Sequence, residues 1–581
     1  MKDILFVNAT LKDELRLKLN GTMILATKLI NAGFDVDILR FYQIDSYDKG
    51  DYNKFISDVT DRIISERPKC VSFYTLWPFY HILLRISQRL KAREPNIIIV
   101  MGGPQSSATA YETMKAMDFV DYIATGEGEN TIVPLFESIL RNNRNGIESI
   151  PGLYYRKDGE VCYCNTPIEL CNLNTIPRWD ESLYKTDEKG LDSGNYYMPI
   201  DVGRGCPFSC TFCCSSVFWK RSYRLKSSEK IIEDIKFFNK KFGIKSFMFS
   251  HDAFTMNKRL VSEICDSIVD SGLDITWKCT TRADCISEEL ILKMKKSGMD
   301  IIELGVETGS PRMQKIINKK LDLDKVREIV KFLLKNKIRV TLFFMYGFPE
   351  ETEEDLNQTL NLYCDFLEMG ISKASMSFCK FNPSTEMTKK HFDELVFDPE
   401  IKNLSRDIFG YSEEIEMFKN NKALFPFFYH LNTPVRNNYQ HLFHFSLLYK
   451  SFLSGFKFIR KYYSNDVLKM YRDFYNNNID VFQNDMSVIH EIIKEDHRQM
   501  IKNMVKDLDK NIVDRFSALV DFSVDMRNVA RSKTDTFIQK TYAFNYFEFK
   551  MQLPIEQFTD SSCELIIEKK NGKVNVQIVS A

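Results

Sequence analysis

The sequence predicts an α/β fold. Short apolar strand patterns alternate with helix-length periodic segments across residues 1–145 and again across 195–390, and such alternation builds parallel sheets covered by helices. The second run opens on a strand that leads directly into three cysteines, Cys206, Cys210 and Cys213, spaced CxxxCxxC. The first run reads as a doubly wound, Rossmann-like domain and the second as a partial (β/α)6 barrel. Residues 146–194 read as a connector with a β-hairpin, and 391–581 as a mostly helical domain with a small β element.

Composition narrows the partners. The 581 residues carry 79 basic and 79 acidic side chains, so no net field favours phosphate, and no nucleic-acid partner is expected. Fourteen cysteines without regular pairing, in a chain that opens MKDILFVNA without a charged-then-apolar leader, predict a cytoplasmic protein with free or metal-bound thiols. No apolar run approaches the roughly 20 residues that span a bilayer, so no membrane span is expected.

In the first domain, strands are expected at Ile4 to Val7, Val36 to Leu39, Val71 to Tyr74, Ile97 to Val100 and Tyr122 to Ala124, with a helix from about Asp13 to Ala32. Ligands of parallel sheets bind beyond the carboxyl ends of the strands. There the fourth strand runs into Gly102, Gly103 and Pro104, and the fifth into Gly126, Glu127, Gly128 and Glu129; glycine lets backbone approach a ligand, although glycines at strand ends also serve as plain turns. The first strand ends in Asn8-Ala9-Thr10, not in the dinucleotide fingerprint, which disfavours nicotinamide. The connector reads as a hairpin turning at Lys157-Asp158-Gly159. Cys162, Cys164 and Cys171 could bind a metal, but a half-buried strand explains small residues at alternate positions without one.

In the second domain, strands are expected at Tyr197 to Val202, Ser246 to Ser250, Ile275 to Cys279, Ile301 to Val306, Arg339 to Met345 and Lys373 to Cys379. Acids at Glu353, Glu354 and Asp355 load the first turn of the helix after the fifth strand. Barrel chemistry sits at the carboxyl ends of the strands, where the cysteine loop falls. Three thiolates in one tight loop suit three corners of an iron–sulfur cluster and leave the fourth iron open. A closed zinc site needs four ligands, usually as two pairs; no second pair follows, and Cys214 would need a sharp chain reversal. Cys279 and Cys379, at strand ends, read as buried small hydrophobes.

With these residues in hand, the chain resembles the cobalamin-dependent radical S-adenosylmethionine (SAM) enzymes over about residues 1–390. The glycine-bearing strand ends match the cobalamin domain, and the CxxxCxxC with Phe212 before its last cysteine matches the radical SAM hallmark. The resemblance implies a [4Fe-4S] cluster on Cys206, Cys210 and Cys213, SAM on its free iron, and cobalamin near Thr75, Leu76, Gly102, Gly103, Pro104, Gly126, Glu127, Gly128 and Glu129. Thr75, Leu76 and Trp77 would lie near the lower cobalt face; packing at a helix start is the other reading for Trp77 and for His81, whose spacing does not match the histidine loop of methionine-synthase-type domains. Contacts to SAM are implied for Phe212, Ser250, Asp252, Arg282 and Glu307, with His251 standing where the family often has a second acid. Arg282 would pair with the SAM carboxylate; pairing between Arg282 and Glu307 as structure is the alternative.

The activity so implied is cleavage of SAM by the reduced cluster to a 5′-deoxyadenosyl radical, followed by C-methylation of a natural-product or peptide substrate from methylcobalamin, with a small-molecule or peptide substrate and an electron donor such as flavodoxin or ferredoxin as partners. Cyclisation, ring contraction or rearrangement without methyl transfer, and a non-catalytic cobalamin or redox sensor, are the other readings. Methylthiotransferases are disfavoured because residues 1–145 contain only Cys70. The last third is expected to shape the substrate pocket. Its tail reads as a hairpin turning at Asn571-Gly572, with a further strand near 541–553. His441 and His444 share a helix face without a third ligand in spacing, and the aromatic, basic stretch 447–463 reads as a packed helix.

Overall fold

The computed structural model describes residues 2–10, 20–42, 52–141, 144–183, 197–397, 414–439, 442–478, 498–506, 508–532, 536–542, 563–570 and 573–580. The chain divides into two compact units: residues 1–306, 314–342 and 379–432 form the first, and 307–313, 343–378 and 433–581 the second.

The first unit begins with strands β1 (Ile4–Thr10), β2 (Val36–Tyr42), β3 (Cys70–Tyr74), β4 (Ile98–Gly102), β5 (Tyr122–Ala124), β6 (Leu153–Lys157) and β7 (Glu160–Tyr163), joined in the order β2-β1-β3-β4-β5-β6-β7. The first five are parallel. The inner strands β1, β3 and β4 are mainly apolar on both faces, as a sheet covered on both sides requires, whereas the edge strand β2 carries Asp37 and Arg40. Helix Asn20–Asn31 packs beside Ile132–Leu140, and Tyr52–Ser65 beside Tyr80–Arg93. The latter face closes over Val7, Phe73 and Met101, with Phe418, Phe425 and Phe427 from farther along the chain in the same core. The connector hairpin adds two antiparallel strands to this sheet, Tyr122 pairing with Tyr155 and Tyr154 with Tyr163. Asp158 and Gly159 both take left-handed backbone at its turn, the geometry a two-residue hairpin favours.

The barrel strands are β8 (Met198–Asp201), β11 (Ser246–Ser250), β12 (Thr276–Thr281), β13 (Met299–Glu307), β14 (Arg339–Tyr346) and β15 (Lys373–Phe378), in the order β15-β14-β13-β12-β11-β8. Two short strands, β9 (Gly203–Arg204) and β10 (Arg224–Leu225), pair antiparallel on either side of the cysteine loop. Strand β15 and residues 343–346 of β14 belong to the second unit, and a small antiparallel pair, β16 (Val396–Phe397) and β17 (Tyr429–His430), belongs to the first. Strand β11 buries Phe247 and Phe249 and leaves Ser246, Met248 and Ser250 half-exposed, the period-two pattern of a barrel wall.

In the second unit, helix Glu353–Glu368 starts on a capping box between Thr352 and Asp355, which satisfies two of its free N–H groups. Arg460 ties its far end down through Asp365 (2.8 Å) and Glu368 (3.1 Å). Tyr439 and Arg472 both hold Glu353 at 2.6 Å. The small β element consists of β18 (Thr536–Tyr542), β19 (Cys563–Lys570) and β20 (Lys573–Ser580), all antiparallel, beside helix Lys510–Arg531. The expected turn at Asn571-Gly572, the strand segment beyond Tyr542 and the side chains of His441 and His444 lie outside the described residues, as does the expected helix start at 13–19. Among the described residues, no helix is long and apolar enough to cross a membrane.

Candidate cofactor site

The sheet order 2-1-3-4-5 reverses between β1 and β3, and ligands of such sheets bind in the crevice at that switch point. A cavity of about 610 Å³ opens there, within the roughly 300–1,000 Å³ common for ligand sites. Gly102, Gly103, Pro104, Gly126, Glu127, Gly128 and Glu129 line it from the first sheet, and Asp201, Ser250, His251, Asp252 and Thr280 from the barrel strand ends. Gly103 sits at φ 103°, where a Cβ would come within 2.9 Å of the Thr75 carbonyl, so the turn into the cavity requires glycine.

Thr75 and Leu76 are outside that lining. Thr75 is fully buried, its hydroxyl donating to Gly102 O at 2.9 Å and accepting from Ser106 N–H at 2.9 Å. Leu76 and Trp77 pack against the core, the Trp77 ring edge-on to Phe427 at 5.7 Å. His81 is buried edge-on to Phe418 and Phe428 with Nε2 3.4 Å from Glu414.

The two glutamates of the GEGE segment are engaged in a buried ion network that the sequence did not reveal. Arg204 binds Glu129 at 2.6 Å and Asp201 at 3.1 Å and lies 3.7 Å from Glu127; Glu127 also pairs with Arg224 and accepts from Cys171 N–H at 3.1 Å. Burial alone would depress the Arg204 pKa, but Asp201 and Glu129 raise it above its ordinary value. Ligand atoms of Glu127, Glu129 and Cys171 lie within 4.8 Å of one another, yet two guanidinium groups already share this space. Cys164 instead contacts Thr166 at 3.3 Å, and Cys162 is half-exposed on β7, so the connector cysteines do not gather into one site. A charged residue between two glycines just before Cys206 was the one sequence signal for this network.

The cysteine loop is fixed by its own backbone. Cys213 N–H donates to Cys210 O (3.1 Å), Thr211 N–H to Ile317 O (3.1 Å) and Met387 N–H to Thr211 O (2.9 Å), while Asn318 donates to Ser209 O at 3.0 Å. Arg282 buttresses it: Nε and Nη2 bind Asp284 at 3.0 and 2.8 Å, Nη2 also donates to Lys319 O at 2.7 Å, and the guanidinium stacks 3.7 Å from the Phe208 ring centroid. Its carboxylate partner is thus Asp284. Burial raises the Cys206 thiol and pushes Cys213 up to about 12, so as free thiols they hold their protons at neutral pH. Iron stabilises the thiolate and offsets that cost. Three soft donors on one clamped loop fit three corners of a four-iron cluster, and Cys214, exposed at the start of helix Cys214–Phe218, lies outside that set.

Asp252 accepts from Ser215 Oγ at 2.7 Å, linking the end of β11 to the segment behind the loop. Beside it, His251 takes Ala253 N–H on Nδ1 at 2.9 Å and faces Arg224 O through Nε2 at 3.3 Å. That fixes a neutral Nε2–H tautomer, and burial pushes its pKa down to about 4. In the second unit, Glu307 ends β13 with left-handed backbone, φ 69°, uncommon for a residue other than glycine. Glu351 accepts from Gly347 N–H, and burial pushes its carboxyl up to about 8.

Comparison with known proteins agrees with this geometry. Residues 200–363 match the radical SAM superfamily and residues 14–136 the B12 binding domain. An uncharacterised methyltransferase of Pyrococcus horikoshii is 30% identical over 306 residues, 52% of this chain and 66% of that protein. An anaerobic magnesium-protoporphyrin IX monomethyl ester cyclase of Rubrivivax gelatinosus is 26% identical over 320 residues, 53% of this chain and 56% of that one. The chain thus spans between half and two thirds of these relatives. The structure of OxsB, a cobalamin-dependent SAM radical enzyme solved with aqua-cobalamin and SAM bound, superposes with a TM-score of 0.57 at 15% identity, covering 92% of this chain and 82% of OxsB. The cofactor set of the two domains is a [4Fe-4S] cluster, SAM and cobalamin. Residues 14–136 and 200–363 thus pair a B12-binding domain with a radical SAM domain, the combination that marks cobalamin-dependent radical SAM enzymes.

Proposed function

We propose that this protein methylates an unactivated carbon of a small molecule or peptide by radical SAM chemistry. The observation that carries the reading is the single cavity lined both by the strand ends of the B12-binding sheet and by Asp201, Ser250, Asp252 and Thr280 of the barrel. A cluster on the adjoining cysteine loop, whose three cysteines lie outside the cavity lining, would supply the electron that cleaves SAM, and cobalamin in the cavity would supply the methyl group. Cys206, Cys210 and Cys213 would hold the cluster, and the backbone at Gly102–Pro104 and Gly126–Gly128 would receive the corrin. Phe212, Ser250 and Asp252 are proposed on the SAM side, whereas Arg282 is taken up by Asp284 and the Lys319 carbonyl. The chain contributes placement: the Arg204 network ties the GEGE segment to the strand that enters the cysteine loop, so both halves of the cavity keep one spacing.

The methyltransferase relative favours methyl transfer, and the cyclase relative supports a second reading, ring formation without it. Anaerobic incubation of the reconstituted holoprotein with labelled SAM and cell extract separates them. Methylation predicts 5′-deoxyadenosine together with a product heavier by one labelled methyl group. Product without added label would favour cyclisation, and methylation without 5′-deoxyadenosine would overturn the radical route.

A further inference from the structure

Arg282 carries an unusual load for a side chain beside a metal loop. It is 6% exposed. Two edges of its guanidinium are occupied: Nε and one Nη2 hydrogen by the Asp284 carboxylate at 3.0 and 2.8 Å, the other Nη2 hydrogen by the Lys319 carbonyl at 2.7 Å. Its plane rests on Phe208, three residues or fewer from two of the cysteines, at 3.7 Å. With the fork locked this way, Nη1 comes to 3.7 Å from the sulfur of Cys210, within reach of an N–H···S hydrogen bond. The carboxylate that fixes Arg282 is 41% exposed, so water screens its negative charge, whereas the guanidinium lies buried against the sulfur.

We propose that Arg282 is a positioning residue that donates a charge-assisted hydrogen bond to the Cys210 thiolate and thereby sets the reduction potential of the cluster. This rests on the proposed cluster at Cys206, Cys210 and Cys213. One-electron reduction adds a negative charge shared over the cluster and its sulfurs, and a fixed, buried cationic donor stabilises the reduced form more than the oxidised one. The potential is therefore higher with Arg282 than without it. Holding the loop would need only the contacts to Asp284, Lys319 and Phe208; the Nη1–sulfur contact is what adds control of the potential.

The test is a reductive titration of the anaerobically reconstituted full-length protein with dithionite and mediators, monitored by electron paramagnetic resonance, with iron and sulfide measured per chain. Arg282→Gln is expected to keep its iron and titrate at a lower potential than wild type. Arg282→Lys, which retains charge but not the fork, should fall between the two. An unchanged potential in Arg282→Gln with full iron content would overturn the proposal. Should Arg282→Gln lose iron, Arg282→Lys decides: a lowered potential supports tuning, an unchanged one refutes it, and loss of iron in both reduces Arg282 to a structural support. If wild type itself takes up no cluster, the proposed function fails instead.

Discussion

At the scale of single residues, what surrounds each candidate decides its chemistry. Glu127 and Glu129 were legible as a strand-end pair, but their commitment to Arg204 and Arg224 depends on side chains 75 to 97 positions away in the chain. Such a network is costly to break, because removing one partner strands a buried charge, at about 3–5 kcal/mol. His251 stands where an acid was the familiar residue; both of its nitrogens serve backbone groups, which keeps it neutral. A histidine whose folded pKa is depressed is protonated more readily in the unfolded chain. Its contribution is therefore whole above pH 6.5 and is lost as pH falls toward about 4. Unfolding by urea should show wild type losing on the order of 2 kcal/mol across that window, with His251→Asn giving a flatter profile; equal slopes would show that His251 does not titrate this way.

At the scale of elements, the cysteine loop is closed by the β9–β10 pair, and Gly205 begins it directly after β9. At φ 86°, a Cβ there would meet the Ser222 carbonyl at 2.0 Å, so any side chain must push the two strands apart. Gly205→Ala is expected to cost more than about 1 kcal/mol and to lower iron per chain after reconstitution, because Cys206 follows directly. Full iron content with an unchanged melting temperature would contradict this. The connector shows the same dependence on tertiary context. Its hairpin was readable from alternation and the Asp158-Gly159 turn, whereas its place as an edge of the first sheet follows from Tyr122 pairing with Tyr155, which no local pattern encodes.

At the scale of the whole molecule, the loop that would hold iron is anchored by backbone hydrogen bonds to Ile317 and Met387, and it lies outside the strands of both large sheets. Removing iron by chelation should therefore leave far-ultraviolet circular dichroism unchanged and lower the melting temperature, since a ligand that binds only the folded state stabilises it, by about 2.7 kcal/mol at 100 times its dissociation constant. Hydrogen exchange should rise at residues 206–213 and little elsewhere. Global unfolding of the apoprotein would contradict this.

The sequence by itself determined the strand–helix alternation, the α/β class and the spacing of three cysteines behind a barrel strand. These are local properties, set by side-chain periodicity and short-range chain geometry. Only the tertiary structure decided that the GEGE carboxylates neutralise Arg204 and Arg224, that Arg282 pairs with Asp284 and reaches the sulfur of Cys210, and that Thr75 and Leu76 lie outside the cavity lining while the strand-end glycines line it. A side chain's partner is chosen by burial: an ion taken out of water must find its counter-charge among whatever the fold brings near, and that choice is absent from the order of residues along the chain.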